Sequence, residues 1–480
     1  MSARYNVRAL GLTEKARAAL SVLAHKYATR RTGWDEAFDA DSVDVVDAEL
    51  MRPGRPGLVD VIAMVGSRTV HVAIGLRAPG DESRFLADTE DEALGIYEDE
   101  WGLGVAVDAM SDAEIAASLV ELISGIESDS SRVRRVRSDA ASTTLAFEER
   151  IAFTTFDDVG SGRHPGLELF LALDEAGFNH LAAPITVWRR GERDLGIVQE
   201  YLAGGSTGWA LATTSVRDFY ATGGSPERAG GDFGGEALRL GIMTARMHLA
   251  LDRVFGRRRG DVGTWVDQIE AELEEVAPAL LERADVRGLL AEVRELQGPW
   301  RATRTHGDFQ LRRVCRTDQG WYVMDFSPGG FPSTVAGIIG DDAPGESSAE
   351  PEGVSGEPSA DPTEEVSGEA SGEASPSPAY GDRQRTPVFR SPLADVSDML
   401  WSFGRVAATA AQQRDPNGEE NVGELALAWE RRNRRAFLAG YLSVPGVNGL
   451  LPQGREAVAK LATVFELARA GHLPGSRISQ

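Results

Sequence analysis

The feature that most constrains the fold of this 480-residue chain is the stretch from Arg304 to Gly330. It reads RTHGDFQLRRVCRTDQGWYVMDFSPGG, and two short apolar runs flank a turn-forming triplet that begins at Asp318. This pattern predicts a β-hairpin that is preceded by a loop carrying Asp308 and is followed directly by Asp325. Two carboxylates on irregular backbone at one end of a hairpin suit phosphoryl transfer. One can orient the attacking hydroxyl, and the other can hold magnesium on nucleotide phosphates.

The composition argues against several classes of partner. A formal net charge of −24 disfavours non-specific binding to nucleic acid or to an anionic membrane surface. Cys315 is the single cysteine, so an intrachain disulfide is excluded and a reducing compartment fits. The first residues lack the apolar core of a signal peptide, and no run reaches the length of a membrane-spanning helix. We therefore expect a cytoplasmic protein with no nucleic-acid or membrane partner.

Three parts of the chain share a resemblance to one family. His306-Gly307-Asp308, followed by Asp325-Phe326, resembles the catalytic hairpin of the aminoglycoside-phosphotransferase-like small-molecule kinases, and most of all the actinobacterial maltokinases. These enzymes transfer phosphate from ATP to the anomeric hydroxyl of maltose. Residues 198–211 resemble the maltokinase hinge, and residues 391–400 resemble its late helix. The resemblance implies an α+β, bilobal, protein-kinase-like fold with a small β-rich lobe, a large helical lobe and an N-terminal α/β cap.

This resemblance divides the chain into segments. We expect a cap over residues 1–130, a nucleotide-binding small lobe over 131–203, a helical large lobe over 204–332 and a return to that lobe over 387–480. Strand and helix patterns support each part. The predicted elements are cap strands at 43–46, 57–62 and 70–74, a helix capped by Ser111 and Glu114, a hairpin of 142–147 with 151–156, a helix at 166–176, a helix at 236–254, a helical hairpin at 269–296 that breaks near Ala284-Asp285, and late helices that begin at Ser391-Pro392, 422 and 454.

The segment from Ser333 to about Thr386 has a different composition from the rest. It is rich in Ser, Gly, Glu, Pro and Ala, and it has few large apolar residues. Such a segment cannot offset the entropy of ordering, so the sequence predicts a disordered acidic insert. Maltokinases carry a much shorter connection at this place. A tolerated loop expansion is the favoured interpretation, and an interaction or phosphorylation segment is the alternative.

The resemblance assigns roles to individual residues. Asp308 takes the position of the catalytic base beside His306, and Asp325 takes the magnesium position. Glu200 and Tyr201 lie where the hinge backbone would pair with adenine. The other expected cofactor-binding residues are Glu168, in the position of the helix glutamate that pairs with a strand lysine, and Thr143 in the first strand of the small-lobe hairpin.

Four positions depart from the family pattern. Gln310 and Arg313 replace a histidine and a metal-binding amide, and a guanidinium offers magnesium no oxygen. Thr154 stands where the strand lysine belongs, and Ser327 stands where maltokinases usually have an acid. The chain has no lysine between Lys26 and Lys460, so only arginines such as Arg150 or Arg163 could replace that charge. These changes put the expected use of ATP and Mg²⁺ in question.

Several functions remain open at this point. The first is an ATP-dependent sugar kinase of the maltokinase type, and a related possibility is an aminosugar kinase. The second is a pseudokinase that acts as a binding or regulatory partner, for example of trehalose synthase, beside which maltokinases work. A third is a scaffold whose acidic insert recruits partners. The sequence names neither the sugar nor the oligomeric state.

Overall fold

The structure is a computed structural model, and it describes most of the chain in separate stretches. The described residues are 14–30, 43–66, 68–81, 86, 93–99, 101–138, 142–160, 162–222, 232–324, 326, 389–415 and 422–471. The predicted acidic insert, Asp325 and Ser327 lie outside these residues. The boundaries that the sequence suggests between cap, lobes and insert stay predictions.

The N-terminal part is one antiparallel sheet with a helix on each face. The strands are β1 (Val43–Arg52), β2 (Gly57–Val65), β3 (Arg68–Arg77), β4 (Ala93–Asp99) and β5 (Gly102–Asp108), in the order β1-β2-β3-β5-β4. The helices are α1 (Glu14–Arg30) and α2 (Ala113–Ser124). Leu20 and Leu23 of α1 pack in one apolar cluster with the sheet, whereas Ile115 of α2 belongs to the main core. The three predicted strands are confirmed.

A second antiparallel sheet follows. It contains β6 (Val133–Ser138), β7 (Ser142–Phe147), β8 (Ile151–Phe156), β9 (Pro184–Arg190) and β10 (Arg193–Glu200), in the order β6-β7-β8-β10-β9, with α3 (Pro165–Glu175) between β8 and β9. The predicted hairpin and helix are thus confirmed. The end of β8 joins this sheet to the cap, because the His71 N–H donates to the Asp157 carbonyl oxygen at 2.9 Å and the Tyr27 hydroxyl donates to the Asp157 carboxylate at 2.9 Å.

The rest of the described chain is mainly helical, with two small sheets that carry the loops. The helices are α4 (Gly208–Thr222), α5 (Gly234–Phe255), α6 (Val262–Val276), α7 (Pro278–Leu281), α8 (Ala284–Arg294), α9 (Leu393–Arg414), α10 (Val422–Leu442) and α11 (Arg455–Gly471). One sheet has the order β11 (Ser206–Thr207), β14 (Val314–Arg316), β15 (Trp321–Val323). The other has the order β12 (Arg258–Arg259), β13 (Arg301–Arg304), β16 (Phe389–Arg390).

Two predicted helix starts, those of α2 and α9, are wrong. Helix α2 is capped by Asp112 instead of Ser111, because the Asp112 carboxylate accepts from the N–H groups of Glu114 and Ile115. The predicted break of the helical hairpin near Ala284-Asp285 is confirmed, because α7 ends at Leu281 and α8 begins at Ala284. A second break separates α6, which ends at Val276, from α7, which begins at Pro278, a residue without the N–H that would continue α6. Helix α9 begins at Leu393, and Ser391 still accepts a hydrogen bond from the Leu393 N–H at 3.3 Å.

The main apolar core runs beneath the second sheet and through the helical part, where Phe219, Phe403, Trp429 and Phe437 are fully buried.

No helix in the described part of the chain is long and apolar enough to cross a membrane.

Candidate active site

The loop between β13 and β14 is held by a buried carboxylate from α9. The N–H groups of His306 and Gly307 donate to the two oxygens of Asp395 at 2.7 and 3.0 Å. Gly307 has a φ of +93°, a backbone conformation that L side chains rarely adopt. Because Asp395 is fully buried and binds both N–H groups at once, it fixes the backbone that presents the next residue, Asp308.

Asp395 is itself held from α5 and α10. His248 contacts the Asp395 carboxylate at 3.1 Å through Nε2 and the Tyr441 hydroxyl at 2.9 Å through Nδ1. Burial alone would raise the pKa of Asp395, but the hydrogen bond from His248 and the bonds from the loop lower it overall. His248 is therefore a buried, hydrogen-bonded side chain that supports the loop from behind.

Asp308, the predicted catalytic base, has both carboxylate oxygens occupied. Oδ1 accepts from the Gln310 side-chain amide and lies 3.3 Å from Nη1 of Arg469. Oδ2 lies 3.1 Å from both Nε and Nη2 of Arg313. A carboxylate offers about four lone-pair sites, and four nitrogens approach this one. The contacts from Gln310 and from Nε of Arg313 are hydrogen bonds, whereas Nη1 of Arg469 makes none among the described residues. A substrate hydroxyl at Asp308 would therefore compete mainly with Gln310 and Arg313.

The charge around Asp308 keeps it ionised. Burial alone would raise its pKa, but the positive charges of Arg469 and Arg313 and the hydrogen bond from Gln310 bring the pKa below its usual value. The Asp308 side chain is 12% exposed, so it is mostly buried but not sealed from solvent. It can orient a hydroxyl as an anion, and the neighbouring guanidiniums weaken it as a proton acceptor.

Arg469 is a functional candidate that the sequence did not reveal. It lies in the last turn of α11, and its Nε and Nη2 atoms each donate to Asp398 of α9 at 2.5 Å. Nη2 also donates to the Gly307 carbonyl oxygen at 3.0 Å. Burial alone would lower the pKa of Arg469, but the negative charges of Asp398 and Asp308 raise it above its usual value. Burial raises the pKa of Asp398 to about 7 although Arg469 favours its ionised form.

Aromatic packing joins the loop to the small lobe. The rings of His306 and Phe326 lie 4.8 Å apart, and Phe170 of α3 approaches Phe326 edge-on at 6.3 Å. Gly166, the second residue of α3, lies close to the Phe326 carbonyl oxygen, and an added Cβ at Gly166 would lie 2.3 Å from that oxygen. The predicted metal ligand Asp325 and the altered position Ser327 flank Phe326 in sequence, and both lie outside the described residues.

The expected lysine–glutamate pair is replaced by an arginine from the other lobe. Glu168 of α3 pairs with Arg304 of β13 at 3.3 Å. Thr154, at the position of the lysine, shares a hydrogen bond of 2.9 Å with the Thr144 hydroxyl across β7 and β8. Thr143 is fully buried in β7. Glu168 therefore contacts the strand that leads into the catalytic loop, whereas Thr154 forms its hydrogen bond within its own sheet.

Two arginines were expected as substitutes for the missing lysine. Arg150 pairs with Glu148 at 3.1 Å, within the turn that joins β7 to β8. Arg163 is exposed beside His164, the residue that caps α3. The structure therefore shows Arg150 paired within its own turn and Arg163 exposed, and it brings neither of them to Asp308 through a hydrogen bond or ion pair among the described residues.

Two backbone N–H groups of the predicted hinge are hydrogen-bonded to carbonyl oxygens of neighbouring segments. The Glu200 N–H donates to the Ala183 carbonyl oxygen at 2.9 Å, and the Tyr201 N–H donates to the Arg150 carbonyl oxygen at 2.9 Å. The Tyr201 hydroxyl accepts from Arg134 of β6. Both N–H groups are thus satisfied, and adenine recognition at the hinge would fall to other backbone groups.

The described residues do not fit a magnesium ion. Magnesium prefers oxygen ligands, and Arg313 at one predicted metal position presents only nitrogen donors to Asp308. The other substituted position, Gln310, directs its amide nitrogen to the same carboxylate. Within the described ranges, no group of three or more His, Cys, Asp or Glu side chains could hold a metal.

The chain is similar in fold to solved kinases. A glucosamine kinase in complex with glucosamine, ADP and inorganic phosphate matches at 16% identity with a TM-score of 0.56, over 91% of this chain and 89% of that chain. Crystal form B of glucosamine kinase matches with the same identity and TM-score, over 95% of this chain and 92% of that chain. Aminoglycoside 2'-phosphotransferase-IIIa with GDP matches at 12% identity and a TM-score of 0.32, over 75% of this chain and 99% of that chain.

No protein-family model matches the chain. The match to glucosamine kinase confirms the predicted α+β, bilobal, kinase-like fold. At this level of identity it establishes the fold alone.

Proposed function

We propose that this chain is an ATP-dependent phosphotransferase that acts on a sugar hydroxyl, with Asp308 as the residue that orients the hydroxyl. The observation that supports this most directly is the anchoring of the Asp308 loop by the two hydrogen bonds to Asp395, at 2.7 and 3.0 Å. A buried acid from a distant helix fixes the one backbone segment that phosphoryl transfer requires to be rigid, since such catalysis rests on positioning and electrostatics.

The proposed reaction begins with an exchange of hydrogen bonds at Asp308. The sugar hydroxyl displaces the neutral Gln310 amide, which is bound less strongly than the two guanidiniums. Its oxygen attacks the γ-phosphorus of ATP, the proton passes to Asp308, and ADP leaves. Arg313 and Arg469 remain beside the carboxylate and balance negative charge in the cleft. Because the described residues do not fit magnesium, the metal has no step in this scheme.

Two alternative sugars are proposed as the substrate. The fold match to glucosamine kinase supports an aminosugar as substrate. The residues that resemble maltokinases support maltose as the substrate and trehalose synthase as a partner. The two substrates are distinguished by whether the acceptor carries an amine, so a small panel of sugars decides between them.

A second function is favoured by one specific observation, the four nitrogens that approach the Asp308 carboxylate. If these contacts persist when ligands bind, the site binds a sugar or nucleotide without turnover. The protein would then be a pseudokinase that regulates a partner. The same geometry therefore gives two functions, which differ in whether Gln310 is displaced.

The experiment is a phosphoryl-transfer assay with ATP and a panel of maltose and glucosamine, with and without Mg²⁺, read by ³¹P NMR. Asp308→Asn is the test variant. Asp318→Asn is the matched control, because Asp318 is an exposed acid in the turn of the same hairpin. We expect a sugar phosphate that forms with wild type and the control and is lost with Asp308→Asn. Ligand binding by calorimetry without any product would support the pseudokinase instead.

A further inference from the structure

The small sheet that leads into the catalytic loop carries two arginines directly opposite each other. Arg259 of β12 pairs with Arg301 of β13 in the antiparallel register. Both side chains are exposed. Like charges directly opposite on one face of a sheet are destabilising, because their Cβ atoms lie only about 5 Å apart. In a chain with a net charge of −24, an unrelieved pair of this kind needs an explanation.

Neither arginine is neutralised by the rest of the described chain. Among the residues that the structure describes, no ion pair is formed by Arg259 or Arg301. Their neighbour Arg257 differs, since it binds Asp252 through two nitrogens, at 2.9 and 2.5 Å. Arg258, on the other face of the strand, stacks on the Phe389 ring at 3.6 Å. The arginine strip, defined as Arg259 and Arg301, thus offers positive charge with no ion-pair partner among the described residues.

The strip lies beside the point where the chain returns to the fold. Phe389 is the first residue described after residue 326, and it belongs to β16, which pairs with β13. Residues 333–386 contain 12 acidic residues and 2 arginines, a net charge of −10. Within them, residues 361–373 contain 5 acids and no base. These acids and the unpaired arginines are complementary in charge.

The distances allow the two to meet. Glu373 precedes Phe389 by 16 residues, and an extended chain spans at most about 3.5 Å per residue, so the tether reaches roughly 50 Å. Neighbouring strands lie about 4.8 Å apart, which puts β12 only about 10 Å from β16. The stretch between Glu373 and Phe389 is thus long enough to reach β12, and such a flexible tether gives the acidic stretch an effective concentration at the arginines on the order of 1 mM.

We propose that the arginine strip is a docking surface for the acidic stretch 361–373 of the same chain. The carboxylates relieve the repulsion between Arg259 and Arg301, and continuity of the chain through β16 makes this stretch the acidic partner that is always present. The proposal does not depend on catalysis. It places an acidic segment next to β13, the strand that continues into the loop of His306 and Asp308.

The test uses a fluorescein-labelled peptide with the sequence of residues 361–373 and full-length protein, with binding followed by fluorescence anisotropy. Wild type is compared with a neutral-segment variant of the full chain, in which the five acids become amides: D361N, E364Q, E365Q, E369Q and E373Q. With a dissociation constant of about 0.1 mM in trans, the 1 mM effective concentration in cis predicts roughly tenfold weaker peptide binding to wild type than to this variant.

Arginine substitutions complete the test. In the neutral-segment variant, adding Arg259→Gln and Arg301→Gln should abolish peptide binding. Adding Arg287→Gln and Arg455→Gln, two exposed arginines elsewhere, should leave it unchanged. Equal peptide affinity for wild type and the neutral-segment variant would overturn the proposal and assign the strip to an acidic partner in trans. Absence of binding to the neutral-segment variant would overturn it altogether.

Discussion

Replacing Arg469 with methionine tests whether buried ion pairs hold the catalytic loop in place. Arg469 is 3% exposed and binds both oxygens of Asp398 at 2.5 Å and the Gly307 carbonyl oxygen at 3.0 Å. Methionine keeps much of the length of the side chain and removes its charge. Because one partner of a buried ion pair is then left alone, the free energy of unfolding should fall by about 3–5 kcal/mol.

The size of this loss depends on pH, because Asp398 can bind a proton when its cation is removed. Its folded pKa of about 7 lies above the ordinary value of 3.8, so the folded wild type binds more protons than the unfolded chain between these two values. This contribution to stability is largest at low pH, decreases as pH rises toward 7 and is constant above it. Without Arg469 the folded pKa rises further, and the decrease continues above pH 7 at about 1.4 kcal/mol per pH unit.

The assay is urea unfolding followed by tryptophan fluorescence at pH 6, 7 and 8. The control is Arg455→Met, the same change at the exposed first residue of α11. Arg469→Met should destabilise the protein more at pH 8 than at pH 6. A double variant with Asp398→Asn should lose this pH dependence and recover part of the stability, since neither charge remains. An equal loss at pH 6 and pH 8, or a loss no larger than that of Arg455→Met, would refute the reasoning.

Three further predictions follow from the same site. Arg313→Asn places an amide oxygen at the altered metal position. Calorimetry should show that Mg²⁺ strengthens ATP binding to this variant and leaves ATP binding to wild type unchanged. Equal affinity of the variant for ATP with and without Mg²⁺ would contradict this. Asp395→Asn weakens the acceptor for two loop N–H groups, so thermal unfolding should report a loss of about 1–3 kcal/mol together with loss of turnover. Gly166→Ala pushes a Cβ against the Phe326 carbonyl oxygen and should cost about 1–3 kcal/mol in the same thermal assay, whereas Gly288→Ala, a helical position with open space around it, should stabilise by about 0.5–1 kcal/mol.

Much of the fold was predictable because its signals are local. The hairpin of β14 and β15 follows from apolar runs on either side of Asp318-Gln319-Gly320, and the stripe of Leu393, Val396, Leu400 and Phe403 on α9 follows from helical periodicity. The errors are also local. Ser111 and Asp112 are adjacent, and serine and aspartate are both favoured at the N-cap position, so the sequence alone does not decide which of them caps α2.

The candidate site was only half predictable. His306 and Asp308 were found through their tripeptide, and Arg313 was recognised as an altered position. A guanidinium at position 313 could pair with Asp308 or with Asp325, and the sequence does not decide between these two acids. Arg469 was missed because periodicity places a residue on a face of a helix without naming the residues it meets across the fold. The one signal available was an arginine near the end of a largely apolar helix, and that pattern fits a helix C-terminus equally well.

The position of Arg469 in α11 has a consequence for the order in which the protein acquires its site during synthesis. The ribosome releases Asp308 long before it releases Arg469, and the Asp308 loop meanwhile lacks the guanidinium that bonds its Gly307 carbonyl. Until α11 emerges and docks, Asp308 therefore has Arg313 but not the second arginine beside it, and Asp398 on α9 lacks the guanidinium that binds both of its oxygens. A prematurely terminated product that lacks Arg469 would leave the buried Asp398 without its guanidinium partner, and such an uncompensated buried charge disfavours the folded state.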